Sequence, residues 1–467
     1  MSFNIMFLRK TVNVRNTLNR LPFNLNTNSI LKYSINSSNH YDVVIAGGGM
    51  VGTTLACTLG KNTKFSDRRI LLLESGKKFK WQLKEQYSNR VSALNPSTYN
   101  LLDRVGAWKH ITDVRYGSVK RMQVWDALSD AMITFNHDEL SEMVAYIVEN
   151  DVLLAAVGKE LEQLQNVTTI NEAKIKEYQL PKKHEDTSTI NMEDGTTYTC
   201  NVLLGCDGAN SLVRKTMGVH YVSWNYNQKG IVATVKLSED TENVVAWQRF
   251  LPTGPVALLP LTNKLSSLVW STTTEHAKTL LGLSEEQFVD ALNEAIWKTH
   301  QQNSMVTEAM KTFNKCLDFI QLPSSAVRQL PPSISGVEPG SRAAFPLGFG
   351  HASNYITKGV ALVGDAAHRV HPLAGQGVNL GFGDVNTLDR ILGEAIYSGS
   401  SLGSLNYLKQ YESERQQHNV PTMLAIDGLH KLYNTEFTPV VILRSLGLQF
   451  THALNPLKKA IIQHAAQ

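Results

Sequence analysis

One carboxylate, Asp365, stands among small residues in Gly364-Asp365-Ala366-Ala367-His368-Arg369-Val370-His371-Pro372-Leu373-Ala374-Gly375-Gln376-Gly377-Val378-Asn379-Leu380-Gly381. The apolar run from Gly359 to Val363 before it reads as a buried strand, and a helical pattern continues past Leu388. The expected order is therefore strand, loop, helix start. A carboxylate at a strand exit can hold hydroxyl groups. A glycine-rich helix N-terminus presents unpaired backbone N–H groups and the positive end of the helix dipole to an anion. Together they suit a large cofactor carrying both hydroxyls and a delocalised negative charge. Turn geometry alone would account for Gly and Asp here, but not for this order of Gly, His, Pro and Asp.

A second constellation lies near the front. The β-branched run Tyr41 to Ala46 leads into Gly47-Gly48-Gly49-Met50-Val51-Gly52, which satisfies G-x-G-x-x-G, and a helix continues through Thr54, Leu55, Ala56 and Leu59. The strand Arg69 to Glu74 then ends in an acid 22 residues beyond Gly52. With strand, helix and acid all in place, this is the dinucleotide-binding fingerprint: Gly47 for the tight turn, Gly49 for close pyrophosphate approach, Gly52 for helix packing, Glu74 for ribose hydroxyls. A carboxylate at that strand end favours FAD or NAD over NADP. Further on, Asp207-Gly208 follows the apolar strand Val202 to Gly205, with Ser211 and Arg214 at the next helix start. It reads equally as a plain turn or as a second cofactor contact. Arg90, in Ser88-Asn89-Arg90-Val91-Ser92-Ala93-Leu94, reads by itself as an ordinary surface cation.

The elements around these residues place the chain in the α/β class (α+β overall): a Rossmann-like domain, an antiparallel sheet beside it, and C-terminal helices. Residues 115–135 alternate as strands, whereas Leu140, Val144, Ile147, Leu153, Val157 and Leu161 have helical spacing, predicting a helix over 139–164. Lys182 to Asp186 is a charged loop, and a hairpin turns at Glu193-Asp194-Gly195. Strands fill 219–272, where Trp224, Tyr226, Trp247, Phe250 and Trp270 either line an apolar ligand site or belong to plain core. A helix starts at Ser284 with a capping box to Gln287. The proline-bearing stretch 301–340 reads as an irregular insertion or lid. Helices follow from Asn379 and through Tyr407 to Val420, and the tail from Leu429 to Ala466 is amphipathic enough to lie on a membrane surface or to pack on the domain.

Composition narrows the function. The chain has 467 residues, 42% hydrophobic, and a formal charge of +4. Residues 1–41 hold five of the 45 basic residues and no acid, so the remainder is 40 basic against 41 acidic, close to neutral. A nucleic-acid partner is not indicated. The acid-free front, with Ile5, Leu8 and Val12 at helical spacing, has the marks of a mitochondrial transit peptide ending before Tyr41. Cys57, Cys200, Cys206 and Cys316 show no zinc spacing and read as reduced, buried thiols, so no metal site is expected. No apolar stretch is long enough to span a bilayer.

The order of the three constellations resembles the single-component flavoprotein aromatic hydroxylases of the p-hydroxybenzoate hydroxylase type. Within them it is most similar to the ubiquinone-biosynthesis monooxygenases, through Gly47 to Gly52, Ser88 to Leu94, Phe345-Pro346-Leu347 and the Gly364 to Asn379 loop, across about 41 to 460. The resemblance implies an FAD-binding domain made of 41–218 and 341–425, a substrate domain with an insertion over 219–340, a C-terminal helical segment over 426–467, and a presequence over 1–40. It assigns Gly47, Gly49 and Gly52 to the FAD pyrophosphate, Glu74 to the adenosine ribose, and Arg90 to a cofactor contact. Asp207 and Gly208 would sit between FAD and the reductant's route. Gly364 and Asp365 would hold the ribityl chain, Gly375, Gly377 and Asn379 the flavin's pyrimidine edge. His371 and Pro372 would border the flavin face, with His371 a candidate for a catalytic role.

The implied reaction is hydroxylation of a polyprenylated phenol or benzoate ring by O2 through a flavin 4a-hydroperoxide, with no hydrolase-type acid–base pair. No second G-x-G-x-x-G appears, so the electron donor stays open between NAD(P)H and a ferredoxin with its reductase. Peripheral contact with the matrix face of the mitochondrial inner membrane, and a complex with other enzymes of the pathway, are further implications. Two rivals remain: a prenyl-binding escort protein of the GDP-dissociation-inhibitor kind, and an NAD-dependent dehydrogenase.

Overall fold

The computed structural model describes residues 39–129, 131–136, 142–182, 187–323 and 329–466. The presequence reading and the tip of the 182–186 loop lie outside the described residues. The elements that matter to the site are, in chain order, strands β1 (His40–Ala46), β2 (Ile70–Leu73), β3 (Val91–Leu94), β4 (Arg121–Asp126), β5 (Ala145–Glu149), β6 (Val167–Ile170), β7 (Thr197–Gly205), β8 (Tyr221–Leu237), β9 (Val245–Leu251), β10 (Gly254–Pro260), β11 (Leu265–Thr273), β12 (Ala343–Ala352) and β13 (Val360–Leu362). The helices are α1 (Met50–Lys61), α2 (Pro96–Arg104), α3 (Asn150–Leu161), α4 (Leu212–Met217), α5 (Glu285–Trp297), α6 (Ser304–Phe319), α7 (Gln376–Tyr397), α8 (Leu405–Tyr433), α9 (Thr438–Ala453) and α10 (Asn455–Ala465).

The first sheet runs β13-β7-β1-β2-β6, with β1 and β2 parallel from Val43↔Ile70 to Ala46↔Leu73. Its central strands are continuous apolar runs because helices cover them: β2 is buried at all four positions, and α1 and α7 pack over the sheet in one core with Leu55, Val385 and Leu388, whereas the outer strand β6 has two exposed threonines. The glycine turn follows β1, Glu74 follows β2, Asp207 follows β7 and Gly364-Asp365 follows β13. Residues that sit 317 positions apart in sequence are thereby gathered at strand exits, where α/β sheets bind their ligands.

The second sheet runs β12-β8-β11-β10-β9-β4. Pairing is antiparallel except for β9 with β4, which is parallel from Val245↔Arg121. Its strands come from 121–126 and 343–352 as well as from 219–273, so sheet membership crosses the boundaries at 218 and 340, and 41–467 forms one compact unit. One face packs on α5 through Ile231, Trp247, Leu258, Leu268 and Trp270. Period-two alternation sends the intervening residues to the other face.

Three expectations are corrected. Residues 145–149 are strand β5, paired with β3 from Val91↔Glu149 to Leu94↔Tyr146, and the helix is confined to α3. The 301–340 stretch is not irregular: α6 is a 16-residue helix capped by the Asn303 side chain on Met305 N–H, and Ile334–Val337 pairs with β8. All four cysteines are free as expected, but Cys316 is exposed on α6 and Cys206 only partly covered. The Ser284 capping box forms in both directions.

Helix α9 is docked by buried polar side chains as well as by Val441, Leu446 and Leu448. Arg444 and Asp126, both buried, pair at 2.7 Å, and Ser445 Oγ donates to Ser129 Oγ. Leu443 and Phe450 on α9 consequently face outward, as do Leu457 and Ile461 on α10. No helix among the described residues is long and apolar enough to cross a membrane.

Candidate active site

The turn from β1 into α1 is built for close approach. Gly47 has φ +107°, and a Cβ there would fall 2.4 Å from the Cys206 carbonyl oxygen. A Cβ on Gly52 would fall 1.9 Å from the Gly47 carbonyl oxygen, while one on Gly49 would meet no atom of the described residues within 4 Å apart from its own chain neighbours. Gly49 is the N-cap of α1 and supplies no side-chain cap, and no acid occupies the first turn. The helix start is left to receive an anion from outside. Glu74 fixes this loop from β2: Oε2 accepts from Gly48 N–H at 2.6 Å and Oε1 from Gly76 N–H at 2.6 Å. Oε1 also accepts from Ser75 Oγ at 3.4 Å, so it is Oε2 that keeps a lone pair for a further donor. Beside them, Gly48, Gly49, Glu74, Trp81 and Leu154 border a cavity of about 830 Å³.

A second cavity, of about 500 Å³, is walled on one side by Asp365, Pro372, Gly375, Gly377 and Val378, and flanked by Arg90 to Ala93. Its opposite wall is the free face of the second sheet, with Val232, Gln248, Ala257, Leu259 and Val269. Gly364 takes φ +61° and donates its N–H to Asp384 Oδ2 at 2.9 Å, so the turn aims Asp365 into the cavity. The Asp365 carboxyl is open to the cavity but deep among protein atoms, and that depth raises its pKa against the pull of His368 and Arg369. Gly375, at φ +61°, is the N-cap of α7 and again offers neither a side-chain cap nor a first-turn acid. Arg90 reaches this wall from an exposed position.

Several residues stand elsewhere than expected. The Asn379 side chain lies behind the helix start. Its oxygen accepts from Asn95 N–H (3.1 Å) and Thr98 Oγ1 (2.9 Å), and its nitrogen donates to the Ala93 (2.8 Å) and Gly375 (3.1 Å) carbonyls. With its full hydrogen-bonding capacity spent on protein, it ties β3 and α2 to α7 and has nothing left for a ligand. Asp207 Oδ2 caps α4 through the Leu212 (2.7 Å) and Val213 (3.1 Å) N–H groups, Oδ1 is buried without a partner, and neither Asp207 nor Gly208 borders either cavity. None of the five strand aromatics lines the cavity. Trp247 and Trp270 belong to the α5-facing core, Phe250 stacks on Tyr433, Trp224 stacks on Phe349, and Tyr226 donates to Asp427. The register puts aliphatic side chains on the cavity face instead.

His371 is fully buried and off the cavity wall, while its neighbour Pro372 is on it. The His371 Nδ1 accepts the Leu373 N–H at 3.1 Å, which puts the ring proton on Nε2, 3.4 Å from Gln228 Oε1. Burial, then the neighbouring His430, lower its pKa to about 3 against the opposing pull of Asp427. The ring thus caps the turn at Leu373 and stands behind the wall on which a catalytic role was expected of it. Since the folded-state value lies below the ordinary 6.5, this group's stabilising share is complete above about pH 6.5 and is lost as pH falls toward 3. Urea unfolding at pH 7 and pH 5 is expected to show a smaller acid loss in His371→Asn than in the parent. Coupling of reductant use to product stays unchanged in that variant.

Sequence reasoning missed Asp384, whose buried carboxylate holds Gly364, His368 and Arg415. Its signal was present: an acid on the same stripe as Leu380 and Leu388, which a buried helix face tolerates only when paired.

The residues present fit an FAD molecule, with an open glycine turn and carboxylate at one cavity and an uncapped helix start and carboxylate at the other. This arrangement defines an FAD-binding flavoprotein, and the chain matches the model of the FAD binding domain family over 40–315 and 328–423. It is 50% identical over 434 residues to the ubiquinone biosynthesis monooxygenase COQ6, mitochondrial, of Xenopus tropicalis, covering 91% of this chain and 93% of that protein. The Homo sapiens COQ6 is 49% identical with 91% and 92% covered, and that of Drosophila melanogaster 48% with 98% and 96%. The chain therefore belongs to the COQ6 family of FAD-dependent monooxygenases. Among solved structures, p-nitrophenol 4-monooxygenase PnpA of Pseudomonas putida shares the fold at TM-score 0.64 and 18% identity, covering 91% of this chain and 97% of that one. Pseudomonas aeruginosa PqsL, solved with 2-aminobenzoylacetate, does so at 0.62 and 22%, covering 88% and 99%.

Proposed function

We propose that this enzyme hydroxylates the aromatic ring of a polyprenylated phenol or benzoate intermediate in ubiquinone biosynthesis, using O2 and electrons from NAD(P)H or from a ferredoxin and its reductase. The observation that carries the reading is the second cavity, with a carboxylate and uncapped helix start on one wall and an aliphatic sheet face on the other. Bound FAD supplies the redox and oxygen chemistry. The chain's residues do the rest. Gly47, Gly49 and Gly52 admit the pyrophosphate, Glu74 the adenosine ribose, Asp365 with Gly364 the ribityl hydroxyls. Arg90, whose guanidinium has no acidic partner among the described residues, is a cation at the flavin's flank, and the Gly375 to Gly377 helix start stabilises negative charge at the flavin's pyrimidine end. Val232, Ala257, Leu259 and Val269 keep water from the reacting ring.

The same reading puts the FAD-binding part at 41–218 and 341–425, the substrate part at 219–340, the C-terminal helices at 426–467, and a presequence at 1–40. Mitochondrial residence follows the printed names of the relatives, and peripheral contact with the matrix face of the inner membrane, beside other enzymes of the pathway, draws support from the outward apolar residues Phe437, Leu443, Phe450 and Ile461. Incubating the FAD-loaded protein with a prenylated phenol, reductant and air should give a product one oxygen atom heavier by mass spectrometry. Hydrogen peroxide as the sole product would overturn the reading.

A further inference from the structure

The cavity face of the second sheet carries one cross-strand row in register: Val232 pairs Val269, Val269 pairs Ala257, Ala257 pairs Gln248, and Gln248 pairs Val124. Four aliphatic residues and one amide make up the row. Gln248, Ala257 and Val269 are each half-buried, while their strand neighbours Trp247, Leu258 and Trp270 are buried against α5. The partial exposure of these three is exposure to the cavity they line.

Gln248 is the only member with hydrogen-bonding atoms. Its amide takes part in no hydrogen bond within the protein among the described residues, although the other amides bordering this cavity are engaged: Asn89 donates to the Ser341 carbonyl and Asn150 Oδ1 accepts from Ser92. The titratable side chains on the cavity wall are Asp365, Arg90 and Arg369, the last donating to the Pro346 carbonyl. No Tyr or His side chain borders the cavity among the described residues, and the hydroxyls on its wall are Ser92, which donates to Asn150 Oδ1, and Ser271, which lies two residues along β11 from Val269.

We propose that Gln248 is the substrate-orienting residue: its Oε1 accepts the phenolic O–H of the ring and so fixes which ring carbon faces the flavin. The inference rests on the phenol reading above and deepens it. An amide suits the task because it accepts a proton donor without taking the proton. Its position on rigid sheet, in a row of small aliphatics, holds the hydroxyl at one end while the ring lies along Ala257 and Val269. A misplaced ring leaves the oxidant to decay in water, so orientation and coupling fall together.

The test uses the FAD-loaded protein and two probes, 2-allylphenol and its methyl ether, with binding read from the perturbation of the flavin absorption bands. The parent is expected to bind the phenol about 5–10-fold more tightly than the ether, the size of one hydrogen bond in a partly enclosed site. Gln248→Met keeps the volume and removes the amide, and its preference is expected to fall within about twofold; the added methyl of the ether is common to both proteins and cancels. Gln248→Glu keeps an acceptor oxygen and keeps the preference. A Gln248→Met protein that holds its flavin and retains the parental preference overturns the assignment, as does a parent with no preference, and both leave the monooxygenase reading standing. A flavin-loaded parent that binds neither probe overturns the phenol reading itself and this assignment with it.

Discussion

Asp384→Ala is expected to lose about 3–5 kcal/mol of stability and, with it, bound flavin, because it leaves the Arg415 guanidinium buried without its counter-charge. Asp384 is wholly buried, and Arg415 Nε donates to its Oδ1 at 2.8 Å while Gly364 N–H and His368 Nε2 reach Oδ2 at 2.9 and 2.7 Å. The same carboxylate thus ties α8 to α7 and holds the turn that presents Asp365. Burial by itself would raise the Asp384 pKa, but His368, Arg415 and the Gly364 N–H outweigh it and hold the group at about 2. The sign follows: a carboxyl depressed from 3.8 to about 2 contributes stability that is complete above about pH 4 and disappears as pH falls through 2. Urea unfolding of parent and Asp384→Ala should therefore differ most at neutral pH and converge in acid. Asp384→Asn, which keeps the shape, should lose less than Ala but still shed flavin, since Arg415 keeps its hydrogen bonds to the Leu380 carbonyl and Asn419 but not its counter-charge.

The second large effect is at the glycine turn. Gly52→Ala puts a methyl 1.9 Å from the Gly47 carbonyl oxygen and 3.1 Å from Cys206 Cβ, and the nearer neighbour is backbone that cannot step aside. The turn must open, at a cost of about 1–3 kcal/mol, and FAD affinity should fall about 10–100-fold. Gly49→Ala gives the informative contrast. Apart from its chain neighbours, no atom of the described residues lies within 4 Å of the added methyl, so the flavin-free chain should unfold at the parental urea concentration. Only the pyrophosphate's approach is blocked. Measuring FAD binding and flavin-free stability on both variants separates packing from ligand contact: Gly52→Ala loses both, Gly49→Ala only the first.

What could be read from the sequence was local. Gly47 to Gly52 with Glu74, the Gly364-Asp365 turn, the 193–195 hairpin and the Ser284 cap each depend on residues a few positions apart, or on a strand and its exit. The readings that failed needed register or distant partners. Over the five residues of β5, periods of 2 and 3.6 cannot be told apart, and the true helix in 150–161 drew the strand into its pattern. In α6 the Val306, Met310 and Leu317 stripe was present, but the prolines that follow it dominated the reading. The strand aromatics were ambiguous until pairing of Trp247 with Leu258 and Trp270 with Val256 fixed their face. Asn379 was assigned to the cofactor because it ends the glycine-rich motif. Its partners at Asn95 and Thr98 are 284 and 281 residues away, and nothing in the local spacing announces them.

The central claim, that the two cavities hold one FAD between Glu74 and Asp365, is tested most directly by the absorption spectrum of the purified protein after equilibration with FAD, beside that of Asp365→Ala. The account predicts flavin bands at one FAD per chain in the parent and their loss in the variant. A colourless parent that refuses added FAD, or an Asp365→Ala protein that keeps its flavin at parental affinity, would contradict it.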